Sequence, residues 1–208
     1  MLRRFDLDLR LRSPIGSSEP DIAGVQTLPE VEPGREQQEF GLSSESFEDG
    51  GVIPERLARE WGVSPQLSWI NAPEGTDRFV IIVDDPDAQP AVGYTFVHWL
   101  VALPASYDSL KEGVSAGGWT NKPRVLSGAG TSTAYKGPRP PSGIHRYHIA
   151  MYAMSRAFVD PEFQDLAHSA VANDTRTYTR EYFESRYHDN ILASAKITGV
   201  YAQPERPH

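Results

Sequence analysis

The sequence predicts a β-sandwich-like core with helices at its periphery. Most apolar residues fall in short runs bounded by Gly, Pro, Asn and Asp, which is typical of strands joined by turns. Helical spacing is concentrated in the C-terminal part of the chain. With 208 residues, of which 39% are hydrophobic and 23% charged, the chain is long enough to form one domain with a substantial core.

The first predicted strands are short. Residues 40–54 predict two extended pieces around a turn at residues 48–51, and residues 53–61 predict one or two helical turns. A further short strand is expected within residues 64–73, between two prolines. The continuous β-branched and aromatic run at residues 79–83 is typical of a strand that is buried on both faces.

Two longer strands are predicted next, at residues 94–103 and 145–154. Between them, residues 111–144 are rich in Gly, Pro and Ser and show no apolar period. A loop of this length inside a compact domain is usually functional.

The C-terminal part is predicted to be helical over residues 175–196. Tyr178 and Tyr182, like Phe183 and Tyr187, are four residues apart and would lie on the same side of a helix. Gly199 is then expected near the end of this helix or at the start of a last strand.

Residues 1–38 predict an N-terminal arm or linker, and residues 39–208 the folded domain. The arm begins with alternating apolar and charged residues, which indicate either a flexible segment or a strand added to a sheet edge. It lacks the continuous apolar region of a signal peptide. No run reaches the roughly 18 apolar residues of a membrane span. We therefore expect a cytoplasmic protein that does not span a membrane.

Composition excludes several classes of function. A net charge of −8 argues against nucleic-acid binding, which needs a basic surface. The chain has no cysteine, so disulfides, thiol catalysis and thiolate metal sites are excluded. No motif indicates a bound cofactor.

Three groups of polar residues lie at predicted core strands. The acidic stretch at residues 84–87 ends the most apolar strand, His98 lies inside the next one, and His145 and Tyr147 share one face of a third. Each has a structural explanation: an Asp-Pro turn, a satisfied core histidine, and an ordinary strand after a Pro-rich segment. Considered together, they predict a pocket where strand ends meet a Gly/Pro loop, with imidazole and hydroxyl groups suited to an oxyanion.

The same motifs resemble the phosphatidylethanolamine-binding protein family. The stretches SPQLSW, DDPDA, GPRPPSGIHRY and ILASAKITGVY occur in this order, with a His-Trp strand after the second. The resemblance extends from about residue 40 to residue 201 and is strongest to the bacterial and archaeal branch, often called Raf-kinase-inhibitor-like. It implies an antiparallel β-sandwich with a Greek-key element and peripheral helices.

The resemblance also implies a ligand-binding site for a small anionic or phosphorylated ligand. The residues that it places there are Asp85, Asp87, His98, His145 and Tyr147, with Gly137 and Pro138 at the rim. A protein partner, as in kinase or protease modulation, and a homodimer are further expectations from the resemblance.

The sequence departs from the family at two places. The family motif DPDAP reads DPDAQ here, and no counterpart of the C-terminal helix of animal members is expected because the chain ends soon after residue 201.

Two alternative functions stay open. One alternative is a metal-assisted hydrolase that uses Asp85, His98 and His145. The other is a scaffold that docks a protein through the loop at residues 111–144.

Overall fold

The strands form two antiparallel sheets. The computed structural model describes residues 38–58, 63–115, 124–125, 131–160, 163 and 176–204. The predicted arm, with its alternating strand, lies almost entirely outside these residues. None of the described helices is long and apolar enough to cross a membrane.

The smaller sheet has three strands and the larger has six. In spatial order, the smaller sheet consists of β1 (Gly41–Ser43), β2 (Leu67–Ile70) and β5 (Ser109–Leu110). The larger consists of β6 (Arg124–Val125), β7 (Thr131–Ser132), β4 (Phe96–Pro104), β3 (Thr76–Asp85), β8 (Ile144–Ser155) and β9 (Ile191–Ala202). Strand β8 returns to lie beside β3, so β8, β3, β4 and β7 follow the Greek-key order.

The larger sheet is buried on both faces. On what we call its sandwich face, Phe79, Ile81 and Val83 pack against the smaller sheet, and the rings of Phe79 and Trp69 meet edge to face at 5.3 Å. On the opposite face, which we call the helix face, Val80 and other apolar residues pack under helix α2 (Arg180–Tyr187). A four-residue helix, α1 (Gln89–Val92), precedes α2 in the chain. The prediction of a strand buried on both faces is therefore confirmed.

The C-terminal helix is shorter than predicted. The ring pairs Tyr178–Tyr182 and Phe183–Tyr187 do meet, at 5.6 and 4.9 Å, but the α-helix ends at Tyr187 and residues 191–196 belong to β9. The prediction of a helix there is wrong because β9 pairs with β8 along almost its whole length, and that pairing outweighs local helix propensity.

Gly199 lies inside β9 and not at an element boundary. A Cβ atom at this position would be 2.4 Å from Cγ1 of Ile53 and 2.9 Å from Cε2 of Phe47. The segment that contains these two side chains crosses close to the strand and bonds to it, with the Ile53 amide donating to the Val200 carbonyl at 2.8 Å. The glycine is therefore explained by close packing.

The segment at residues 111–144 is more structured than predicted. Its described part contains a turn at residues 112–115, which follows β5 in the sequence, and the short strands β6 and β7. Residues 132–135 are buried along β4, where the Thr133 amide donates to the Leu100 carbonyl at 2.9 Å. The prediction of a loop is wrong for this stretch because it completes one edge of the larger sheet. Of the helical turns predicted at residues 53–61, the 3₁₀ turn Glu55–Leu57 is described.

Candidate functional site

A cavity of about 140 Å³ opens where the end of β3 and the starts of β4 and β8 meet the segment at residues 139–141. Four of its lining residues carry ionisable side chains: Asp85, His98, Arg139 and His145. The remaining wall is apolar and consists of Ala88, Ala91, Val92, Phe96, Pro140 and Pro141. Three of the residues predicted for the ligand site, Asp85, His98 and His145, therefore meet at one cavity.

The two aspartates that end β3 point to opposite faces because side chains alternate along a strand. Asp85 follows Val83 onto the sandwich face, where its Oδ1 accepts a hydrogen bond from the Ala88 amide at 3.1 Å. Asp84 is fully buried on the helix face, where it accepts hydrogen bonds from Nε and the backbone amide of Arg180 at 2.8 and 3.1 Å. One aspartate therefore belongs to the cavity and the other holds α2 at its first residue.

His98 is placed by a β-bulge. Val83 pairs with Trp99, but the next residue, Asp84, pairs with Val97, so His98 is the extra residue in β4. The bulge shifts the alternation of side chains, and the His98 ring lies 5.1 Å from that of Tyr147, which packs on the sandwich face. Simple alternation would group His98 with Leu100, which packs on the helix face. Simple alternation gives the wrong face for His98 because it assumes an unbroken strand.

Asp85 and His145 form a buried pair. Nδ1 of His145 lies 2.7 Å from Oδ2 of Asp85, and only 7% and 3% of the two residues is exposed. Burial raises the pKa of the Asp85 carboxyl, although the hydrogen bond from His145 opposes this effect. The bond fixes the imidazole ring so that Nδ1 faces the carboxylate and Nε2 is left for another partner.

His98 is held by a backbone carbonyl. Its Nδ1 lies 2.6 Å from the carbonyl oxygen of Lys136. Since a carbonyl can only accept, Nδ1 must carry the proton. Burial lowers the pKa of His98 to about 4, even though this hydrogen bond acts in the opposite direction. At neutral pH His98 is therefore an uncharged imidazole with its lone pair on Nε2.

Tyr147 lies behind the two imidazoles and not in the cavity wall. Its ring is 5.1 Å from the His98 ring and 6.4 Å from the His145 ring, and it is 1% exposed. Burial and the nearby charge of Asp85 raise the pKa of its hydroxyl. Within the described residues this hydroxyl makes no hydrogen bond. Tyr147 therefore packs against both rings from the protein interior.

Asp87 lies beside the cavity, where it binds Arg146. The Arg146 guanidinium donates to both carboxylate oxygens, at 2.9 and 2.6 Å, and the Arg146 amide donates at 2.9 Å. The hydrogen bond from Arg146 is the main cause that lowers the pKa of Asp87 to about 2. Asp87 therefore joins the turn after β3 to the start of β8, next to Asp85 and His145.

Gly137 and Pro138, predicted to line the rim, are buried, and residues 139–141 line the cavity instead. A Cβ atom on Gly137 would lie 2.6 Å from the Leu57 carbonyl oxygen. This close approach requires glycine and fixes the path of the chain into the cavity wall.

The cations and the aromatic wall of the cavity were not predicted from the sequence. Arg139 lines it, and the Lys136 ammonium lies 5.4 Å from the centroid of the Phe96 ring, which is itself 4.8 Å from His98. Both cations stand in or beside the GPRPP motif, which was the signal that could have revealed them. Within the described residues, no group of three or more His, Cys, Asp or Glu side chains is spaced to hold a metal ion.

Comparison with known proteins shows that most of the chain matches the family that its motifs resemble. The model of the family described as phosphatidylethanolamine-binding protein matches residues 43–202. A relative from Methanothermobacter thermautotrophicus, named UPF0098 protein, is 32% identical over 165 residues, covering 78% of this chain and 98% of its own. LppC of Mycobacterium tuberculosis, named as a candidate lipoprotein, is 30% identical over 147 residues, covering 68% of this chain and 69% of its own.

A solved structure shares the fold. The crystal structure of a phosphatidylethanolamine-binding protein homolog from Chlamydia trachomatis has a TM-score of 0.59 and 28% identity to this chain. The similarity covers 80% of this chain and 99% of that one.

Proposed function

The chain belongs to the phosphatidylethanolamine-binding protein family, and on that premise we propose that it binds a small phosphorylated or carboxylate anion in the cavity of Asp85, His98 and His145. The observation that carries the proposal is the convergence of two imidazoles on one cavity. Each ring has its Nδ1 engaged by the protein, by Asp85 in one case and by the Lys136 carbonyl in the other. Each therefore directs its second nitrogen to a ligand.

The charges around the cavity suit an anion in spite of the net charge of −8. Arg139 lines the cavity. When His145 carries a proton on both nitrogens, its charge is balanced by Asp85 and its Nε2 donates to the ligand. Asp87 adds little repulsion because its charge is paired with Arg146 at 2.6 Å. The pairing of Asp85 with His145 and the presence of Arg139 in the wall therefore reduce the electrostatic cost of placing a singly charged anion in the cavity.

Replacement of His145 by alanine should weaken binding of inorganic phosphate and O-phosphoethanolamine. Loss of a charge-assisted hydrogen bond costs roughly 1.5–3 kcal/mol, or about tenfold to hundredfold in affinity. His148→Ala is the matched control, because His148 lies on the same strand, does not line the cavity and contacts Thr198 instead.

The measurement is isothermal titration calorimetry of the parent protein and both variants with each ligand. Saturable binding by the parent and by His148→Ala, with weaker binding by His145→Ala, supports the proposal. Absence of binding by the parent, or equal binding by all three proteins, rejects it.

The two alternatives from the sequence gain no support from the described structure. The hydrolase would need Asp85, His98 and His145 to converge on one metal ion, but Asp85 holds Nδ1 of His145 and the described residues contain no such cluster. The scaffold would use the segment at residues 111–144, of which residues 132–135 are buried along β4 and residues 116–123 and 126–130 lie outside the described residues, so this alternative stays a prediction.

Four further expectations stay predictions. These are a protein partner, a homodimer, the division into an arm of residues 1–38 and a domain of residues 39–208, and a cytoplasmic location. The last is open in particular because one relative is named as a candidate lipoprotein.

A further inference from the structure

The protonation of His98 restricts what can occupy the cavity. Its Nδ1–H is committed to the Lys136 carbonyl at 2.6 Å, so the neutral ring can offer only a lone pair, on Nε2. This nitrogen makes no hydrogen bond with any described residue, and the ring lines the cavity. A ligand that reaches it must therefore bring a hydrogen-bond donor, because an acceptor placed there would face a lone pair with both groups desolvated.

We infer that the cavity selects a singly protonated phosphate monoester, whose P–OH group donates to Nε2 of His98 while a P–O⁻ oxygen accepts from His145. The inference rests on the proposed function, since it concerns the same cavity. It adds a chemical class: the ligand carries an anionic oxygen and an acidic hydroxyl on one phosphorus atom. A phosphodiester, as in an intact phospholipid headgroup, has no such hydroxyl.

The donor is a hydroxyl and not a ligand ammonium because of the cations near His98. The Lys136 ammonium lies 5.4 Å from the Phe96 ring, which is in contact with His98, and Arg139 lines the same cavity. A third cation would be repelled there. The Asp85 carboxylate could attract an ammonium, but its oxygens already accept from His145 and the Ala88 amide.

The other groups that face His98 do not supply the missing donor. His145 and Tyr147 approach from β8 and Asp85 from β3, while Lys136 and Arg139 come from the segment that follows β7. The Tyr147 hydroxyl is buried behind the ring and makes no hydrogen bond with any described residue, so it does not donate to Nε2 of His98. The preference for a protonated ligand therefore depends on His98.

The experiment measures the affinity of the unmodified protein for four probes by calorimetry at pH 6. Methyl phosphate is a monoester with a P–OH group. Sulfate has the same shape but no proton, dimethyl phosphate is a monoanion without a hydroxyl, and glycerophosphoethanolamine is a diester that carries an ammonium. We expect methyl phosphate to bind at least tenfold more tightly than each of the other three, which is the usual effect of one unmatched buried acceptor.

A pH series provides a second readout. The second pKa of a phosphate monoester is about 6, so its affinity should fall roughly tenfold per pH unit above that value. Equal affinity for sulfate or for either diester would overturn the inference but leave the anion site in place. Absence of binding by all four probes would overturn the proposed function as well, so the two failures are distinguishable.

Discussion

Replacement of His98 by glutamine should make the protein less sensitive to acid. In the folded protein the pKa of His98 is lowered from 6.5 to about 4, mainly by burial. The unfolded chain takes up a proton near pH 6.5, whereas the folded chain resists protonation until about pH 4. The contribution of neutral His98 to stability is therefore complete above pH 6.5 and is lost as the pH falls towards 4.

The size of the effect follows from the difference between the two pKa values. At roughly 1.4 kcal/mol per unit, the shift from 6.5 to about 4 removes about 3 kcal/mol of unfolding free energy between pH 7 and pH 4. The raised pKa values of Asp84 and Asp85 act in the opposite direction. The quantity to analyse is therefore the difference between the parent and the variant, in which these contributions largely cancel.

The assay is urea denaturation at pH values from 7 to 4. The control variant is His188→Gln, which removes an imidazole whose side chain is 72% exposed. The parent and the control should both lose about 3 kcal/mol more than His98→Gln across this range. A parent curve that runs parallel to that of His98→Gln would refute the reasoning, because it would mean that His98 titrates alike in the folded and unfolded chains.

Two further substitutions test how the site is held in place. Asp84→Ala should lower the unfolding free energy by about 3 kcal/mol, because it removes the buried carboxylate that accepts from the half-buried Arg180 guanidinium and from the Arg180 amide. A loss below about 1 kcal/mol in urea denaturation would contradict this role. Gly137→Ala should cost about 1–3 kcal/mol, since its Cβ would lie 2.6 Å from the Leu57 carbonyl oxygen. The control Gly41→Ala, whose nearest contact is a side-chain carbon at 3.2 Å, should cost less, and equal thermal stability of the two variants would disprove the packing argument.

The core strands were predictable because their signals are local. The run at residues 79–83 is apolar at every position, which only burial on both faces explains, and it forms the centre of β3. The shared face of His145 and Tyr147 followed from simple alternation along β8. In each case the residues alone determine which side chains face the core.

The remaining features depend on contacts that are distant in sequence. The β-bulge that places His98 arises from pairing between β3 and β4, and the extension of β9 through residues 191–196 arises from pairing with β8. The Lys136 carbonyl that fixes the tautomer of His98 is 38 residues away. No local pattern encodes these contacts, so the sequence predicted the members of the site but not their hydrogen bonds.

The central claim is that one anion binds between His98 and His145, and its most direct test is nitrogen NMR of the protein with ¹⁵N-labelled histidine. Inorganic phosphate is titrated at pH 6 while the ring nitrogens are observed, with assignments from the His98→Gln and His145→Ala variants. The account predicts that the Nε2 signals of His98 and His145 both shift and saturate with one dissociation constant, while those of exposed His188 do not. Saturation at other histidines, with His98 and His145 unchanged, would contradict it.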